Sequence, residues 1–360
     1  MSQAVPISRL LRHPVANSES LESSALLVGA GVFVVSAIVA GFVFWNRYAP
    51  IAGPGSIGQF IAIGGGITAV VVCIAARVLV ATSSTTRQDS LGATGIRLHW
   101  FDIAAIALAY GVIALLGWTA IADVVSKSFT GAVVYTLSAA VLGGVAIALT
   151  AYAVFLSAIS LRPIGLSYLL AAFLAVGTFA SMLSASDPFW WKKNLSTLGI
   201  SDDFSARAFN ITLIIAGVIV TTIAHYATAT IPANTPKEVR GRSLVRTALI
   251  VMGILLACVG LFPLDVRFGL HNISASGMAA IFVAMVIALP SLIPSIPRAF
   301  ILLGYVFVGV IVVLAVFFIT GYYNLTAVEL VAFLLIFSWL IVFIRNTSAM
   351  RAERATSTNY

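Results

Sequence analysis

"AFILLGYVFVGVIVVLAVFFIT", residues 299–320, runs for 22 residues without a charged side chain. At 1.5 Å rise per residue such a helix is about 33 Å long, slightly more than the roughly 30 Å hydrocarbon core of a bilayer. Its apolar residues follow one another without alternation, which excludes a barrel strand, and a lone helix satisfies its own backbone N–H and C=O groups in lipid. The rest of the chain reads the same way: it is 61% hydrophobic and 9% charged, where a soluble domain carries about a quarter charged residues. Such a chain cannot keep a water-exposed surface, so its solvent is lipid.

Nine further runs meet the same criterion, at 24–45, 58–81, 101–122, 132–157, 164–184, 207–230, 246–264, 271–290 and 324–344. The predicted fold class is therefore an all-α polytopic membrane protein of about ten transmembrane helices. Its predicted organisation is a tail at 1–23, a four-helix membrane region at 24–157, a six-helix membrane domain at 164–345 and a second tail at 346–360. The first apolar run is too long for a signal peptide and is predicted to be a retained helix.

Positive charge fixes the expected orientation. With the N-terminus inside, fourteen Lys and Arg fall on the cytoplasmic side and six outside, namely Arg47, Lys127, Lys192, Lys193, Arg207 and Arg267. Both termini are thus expected to be cytoplasmic and the protein multi-pass in the cell membrane. The net charge of +8 is spread singly at the ends of apolar runs, with no basic stripe or aromatic platform, so nucleic acid is not expected as a partner. Cys73 and Cys258 lie in separate apolar runs and read as small core residues, too few for a disulfide framework or a zinc site. The four His are split between the two faces, so no metal is predicted, and no dinucleotide fingerprint or mid-membrane His pair calls for a cofactor. "GQFIAIGGGITA" lacks the flanking elements of a nucleotide loop and reads as close helix packing, while Arg77 is expected to snorkel.

Against this background "WWKKNLSTLGISDDFSARAFN", residues 190–210, gathers two Trp, two Lys, two Asp and an Arg. It joins the fifth and sixth spans on the expected outer face. There the Trp pair suits the headgroup layer, and Asp202, Asp203 or Ser205 can cap the next helix. "LFPLDVRFGLHNISASG" turns sharply between the seventh and eighth spans and carries Asp265, Arg267 and His271. Glu329 lies about one and a half turns into the last span, where a carboxyl must pair with a cation or stay protonated. Arg207 and Arg267 are its candidate partners. Asn194, Ser196, Gly199, Arg207, Asn210, Asp265, Arg267, His271 and Glu329 all fall at one face, and the prediction is a shared polar pocket.

"NLSTLGISDDFSARAFNITLIIAGVIV" resembles the motif of the bacterial integral membrane family called domain of unknown function 998, an Asn/Ser-x-Leu-Gly loop followed by Phe-Asn at the head of a glycine-containing span. "VGLFPLDVRFGLHNISASG" is similar to its second hallmark, Gly-x-Phe-Pro-x-Asp followed shortly by His. An acidic residue near the start of the last span is matched by Glu329, although Leu330 stands where the family often has Arg. The resemblance covers about 164–345 and extends distantly to the Frag/DRAM/Sfk membrane proteins, some linked to lipid remodelling. It implies a six-helix membrane domain and no stated activity.

Three functions fit these residues. The first is a non-catalytic lipid- or envelope-related component using an outer-face polar pocket, with membrane lipids and a membrane protein as partners. Short connections and few buried charges favour it. The second is an intramembrane lipid hydrolase or acyltransferase. Ser196 would be its nucleophile, His271 its base and Asp265 the orienting group, with Asn194 or Arg207 steadying an oxyanion. The third is a transporter or lipid flippase, which ten helices allow but for which paired broken helices and midplane charges are missing.

Overall fold

The computed structural model describes residues 18–84, 99–200, 202–229, 231 and 235–357. Most of the N-terminal tail and of the 82–100 connection, with Arg9, Arg12, Arg87 and Arg97, lies outside them. Among the described residues ten helices follow one another: α1 Ser18–Val43, α2 Ile57–Ser84, α3 Trp100–Ser128, α4 Thr136–Ile159, α5 Pro163–Leu183, α6 Phe204–Ala229, α7 Pro236–Leu261, α8 Phe268–Leu292, α9 Arg298–Ile319 and α10 Leu325–Ser357. All ten are long and apolar enough to cross a membrane. Among the described residues the one sheet is an antiparallel bridge of Ala49–Pro50 with Val133–Val134. The protein is all-α, as its composition requires.

Helix ends follow local chemistry. Helix α7 begins ten residues before the apolar run at 246, because "TPKE" closes a capping box: the Glu238 N–H donates to Thr235 Oγ1 and the Thr235 N–H to Glu238 Oε2, with Pro236 at the first position. Helix α10 likewise runs to Ser357, through most of the expected tail. Hydropathy marks where a helix meets lipid, whereas capping decides where it starts and stops. At α6 the cap is Asp203, whose Oδ1 accepts the Ala206 N–H at 2.9 Å. At α3 the Asp102 carboxylate accepts the His99 backbone N–H at 3.1 Å, a helix-start contact.

The chain divides into two compact units, with the boundary between Leu161 and Arg162. In the first, α1 and α2 lie against α4, and α2 against α3. Gly64 faces α4 so closely that a Cβ there would sit 2.7 Å from Ile147 Cδ1. Arg77 does not snorkel: it is buried, and its Nη1 donates to the Ala158 carbonyl at 3.2 Å. That carbonyl is among the last four of α4, which have no partner inside their own helix and carry the negative end of its dipole.

In the second unit each helix lies against the next from α5 to α10, and α10 returns to α5. Helix α6 is buried along most of its length and also meets α10. Helices α6 and α7 touch backbone to backbone. A Cβ on Gly217 would lie 2.3 Å from the Gly253 carbonyl oxygen, and one on Gly260 would lie 2.5 Å from that of Asn210. Both contacts fall on one seam, because the paired positions are two turns apart on each helix. Farther along, Trp339 of α10 stacks on Phe343 with ring centroids 5.4 Å apart and meets Phe282 of α8 edge-on. Of these contacts the Gly260–Asn210 approach lies nearest the connection between α5 and α6, and it fixes the start of α6 against the end of α7.

Candidate functional site

The α5–α6 connection forms two short 3-10 turns, Trp190–Lys192 and Leu195–Gly199. Asn194 starts the second: its Oδ1 accepts the Thr197 N–H at 2.9 Å and the Thr197 hydroxyl at 3.0 Å. Asn210, two turns into α6, donates through Nδ2 to the Gly199 carbonyl at 3.0 Å. Gly199 is required at that point, since a Cβ there would lie 2.5 Å from Asn210 Oδ1. Ser181 of α5 and Ser205 of α6 lock the base of the connection, the Ser205 hydroxyl donating to the Ser181 carbonyl at 2.8 Å.

Helix α10 grips the connection from the side. Asn324 Oδ1 accepts the Ala327 N–H at 3.0 Å and so starts α10, while its Nδ2 donates to the Trp191 carbonyl at 2.9 Å. One and a half turns on, Glu329 Oε2 accepts the Leu195 N–H at 2.5 Å. Glu329 has no cationic partner among the described residues. Arg207 and Arg267, expected to pair with it, are both exposed. The correction has a simple cause: each Arg sits at a helix end, where its long side chain keeps its hydration, while a backbone N–H already reaches the carboxyl group.

Two residues 75 positions apart meet at the centre of this structure. His271, in the first turn of α8 and only 4% exposed, has its Nε2 at 2.9 Å from Ser196 Oγ. Its Nδ1 lies 2.8 Å from the Phe262 carbonyl oxygen. A carbonyl only accepts, so Nδ1 carries the ring proton, and in the neutral ring Nε2 is left to accept the Ser196 hydroxyl proton. The tautomer is thus set by the hydrogen bonds around it. Asp265 does not orient this imidazole. It is exposed, and the position it was expected to fill belongs to the Phe262 carbonyl three residues earlier. The chain turns at Phe262 as α7 ends, its N–H donating back to the Cys258 carbonyl at 2.9 Å, which turns the residue's own carbonyl toward α8.

The structure therefore brings Asn194, Ser196, Gly199, Asn210, His271 and Glu329 into one hydrogen-bonded assembly around the turn Leu195–Gly199. It leaves Arg207, Asp265 and Arg267 at the surface. Phe262 and Leu195, which take part through backbone atoms, are the members that sequence reasoning missed, and Asn324, which docks the neighbouring turn from outside the assembly, was missed beside them. Asn324 carried a signal: an Asn directly before a long apolar run, suited to capping it. For the two backbone groups residue type is silent.

A serine hydroxyl donating to an imidazole whose other nitrogen is anchored is the arrangement that activates a nucleophilic oxygen. Ser196 as a residue is half-buried. Three N–H groups open the first turn of this 3-10 helix. Leu195 gives its own to Glu329 and Thr197 gives its own to Asn194, while that of Ser196 has no acceptor among the described residues.

No curated protein and no solved structure matches the chain. Residues 169–346 do match a family, and the matched segment spans α5 to α10 with every member of the assembly. The chain is an integral membrane protein whose C-terminal part, residues 169–346, matches the family described as "Protein of unknown function (DUF998)".

Proposed function

We propose that this protein is a membrane-embedded acyl-transfer enzyme in which Ser196 is the nucleophile and His271 the general base, acting on ester-linked acyl groups of membrane lipids. The observation that carries the reading is the Phe262 carbonyl–His271–Ser196 Oγ relay, with both links under 3 Å. In the first half-reaction Ser196 Oγ attacks the ester carbonyl carbon while its proton passes to His271 Nε2. The tetrahedral intermediate then expels the alkoxide, which takes that proton and leaves as an alcohol, and an acyl-serine remains. In the second half, water or an acceptor alcohol attacks the acyl-serine and gives its proton to His271. Ser196 leaves as the new carbonyl forms and recovers that proton. The Phe262 carbonyl accepts the Nδ1–H of the imidazolium that exists between these steps, a dipole in the position that a carboxylate takes in a full triad.

The setting supports a lipid substrate. Phe189, Trp191, Phe204, Phe268, Leu270 and Ile273 are exposed around the same end of the helices, a density of aromatic and branched side chains suited to the interface between headgroups and acyl chains. Glycerolipid ester bonds lie at that depth. The excess of positive charge on the opposite connections, fourteen against six, supports placing the site on the outer face of the cell membrane.

A second reading has its own observation. The bonds from Glu329, Asn324 and Asn210 all hold loop backbone, and His271–Ser196 can be one more such clamp in a non-catalytic envelope component. One experiment separates the two. The purified protein in nanodiscs is treated with a fluorophosphonate probe, and the labelled residue is located by mass spectrometry. Labelling of Ser196 that disappears in His271→Ala supports the enzyme. Intact protein that resists the probe, together with Ser196→Ala restoring the lipid profile of a deletion strain, ends that reading and leaves the clamp.

A further inference from the structure

We infer that Glu329 is a positioning residue for Ser196, acting through the Leu195 N–H. The inference rests on the acyl-transfer reading and adds to it a part that touches neither the nucleophile nor the base. The Leu195 N–H belongs to the Asn194–Leu195 peptide unit, one residue ahead of Ser196 in the same turn, and Leu195 itself is buried. Of the N–H groups that open this turn, Thr197 is held from within the turn by Asn194, at 2.9 Å. Leu195 is held from another helix by Glu329, at 2.5 Å. That contact from α10 holds the start of the turn, as the Asn210 bond to the Gly199 carbonyl holds its end, and together they set the direction in which Ser196 Oγ points. His271 approaches from α8, and α8 and α10 are separate elements. The 2.9 Å reach from Nε2 to Oγ therefore requires the turn to be fixed from both sides.

A carboxyl group inside a membrane-spanning helix is costly, and one without a cationic partner is more so. The group is retained here against a single backbone N–H, which Gln, Asn or Ser also can accept. A carboxyl oxygen offers the strongest acceptor and the side-chain length that reaches from α10 to the turn. Asn324, five residues earlier on the same element, supplies an internal comparison. It bonds the preceding turn at the Trp191 carbonyl, 2.9 Å away, and so docks the connection without touching the peptide that carries Ser196.

The test uses the whole protein in nanodiscs, with Glu329→Ala, Glu329→Gln and Asn324→Ala beside the wild type. Two quantities are read. One is amide exchange in the peptide that contains Leu195. The other is the rate of fluorophosphonate labelling at Ser196, with its maximal rate separated from the half-saturating probe concentration. Leaving a buried backbone donor without its acceptor corresponds to about tenfold, so Glu329→Ala is expected to speed exchange and slow maximal labelling by about that factor, with the half-saturating concentration unchanged. Glu329→Gln, which keeps an acceptor of the same length, is expected to stay within about threefold of wild type in both. Asn324→Ala is expected to leave labelling within that range. Wild-type exchange in Glu329→Ala overturns the inference. So does Glu329→Gln failing as badly as Ala, which would assign the effect to charge, or Asn324→Ala matching Glu329→Ala, which would assign it to general docking. If the wild type takes no label while exchange still responds to Glu329→Ala, the acyl-transfer reading fails, and Glu329 is a loop clamp with no nucleophile to position.

Discussion

The two units treat their polar residues in opposite ways. In the first, three side-chain contacts tie one helix to another at separate points along the spans. Trp118 Nε1 donates to Thr150 Oγ1 at 2.9 Å, Tyr110 and Ser157 share a hydrogen bond, and Arg77 closes the end of α4. In the second, polar side chains from α6, α8 and α10 converge on one loop of a few residues. The first pattern is how a membrane bundle adds modest stability where the hydrophobic effect between helices is weak. The second holds one backbone segment from several directions, which is what a site needs if its reacting atoms are to stay within a fraction of an ångström.

Four predictions bear on that contrast. The largest effect belongs to Ser196→Ala and His271→Ala. Each should lower turnover of a lipid ester in vesicles by about a thousandfold or more, as loss of a nucleophile or its base does in serine hydrolases. Thermal unfolding followed by circular dichroism should move little, and a large drop in melting temperature without loss of turnover would make these two residues structural and erase the contrast. Next comes Gly253→Leu, on the α6–α7 seam that supports the loop. A Cβ there would sit 2.7 Å from the Gly217 carbonyl oxygen, and overpacking of this kind costs about 1–3 kcal/mol. Unfolding in a denaturing detergent titration should shift accordingly, with turnover falling in the same variant because the loop loses its frame.

Smaller changes sharpen the comparison from the other side. Trp118→Phe removes one helix-to-helix hydrogen bond from the first unit, and such bonds are worth about 0.6 kcal/mol in membrane proteins. Stability should fall by that order and lipid-ester turnover should stay at the wild-type level; a loss of turnover would show that the first unit takes part in the chemistry. The smallest effect is expected of Asp265→Asn. With the Phe262 carbonyl on Nδ1, turnover should remain within about twofold, whereas a triad aspartate changed this way costs about four orders of magnitude. A large loss would return Asp265 to the role its sequence position suggested.

The sequence legibly carried the spans, because a lipid solvent demands long runs of apolar residues and punishes every exception. It was less informative about helix limits: α7 and α10 extend well past their apolar runs, since a capping box or a polar helical tail leaves no trace in hydropathy. Within the site, Ser196, His271 and Glu329 stood out as polar residues at one set of helix ends, which is a matter of residue type and topology. Their partners did not stand out. Glu329 was expected to meet Arg207 or Arg267, and it meets a backbone N–H. His271 was expected to meet Asp265, and it meets a backbone carbonyl.

By itself, then, the sequence determined that this chain lives in a membrane as ten helices, and which few polar residues are placed where their cost needs a reason. Only the tertiary structure decided that Ser196 lies against His271 across 75 residues, that the Phe262 carbonyl fixes the ring tautomer, and that α10 holds the turn through Leu195. The physical reason is that every residue carries the same backbone donor and acceptor. Which of them is turned toward a side chain depends on how helices end and meet, and residue identity does not encode that locally.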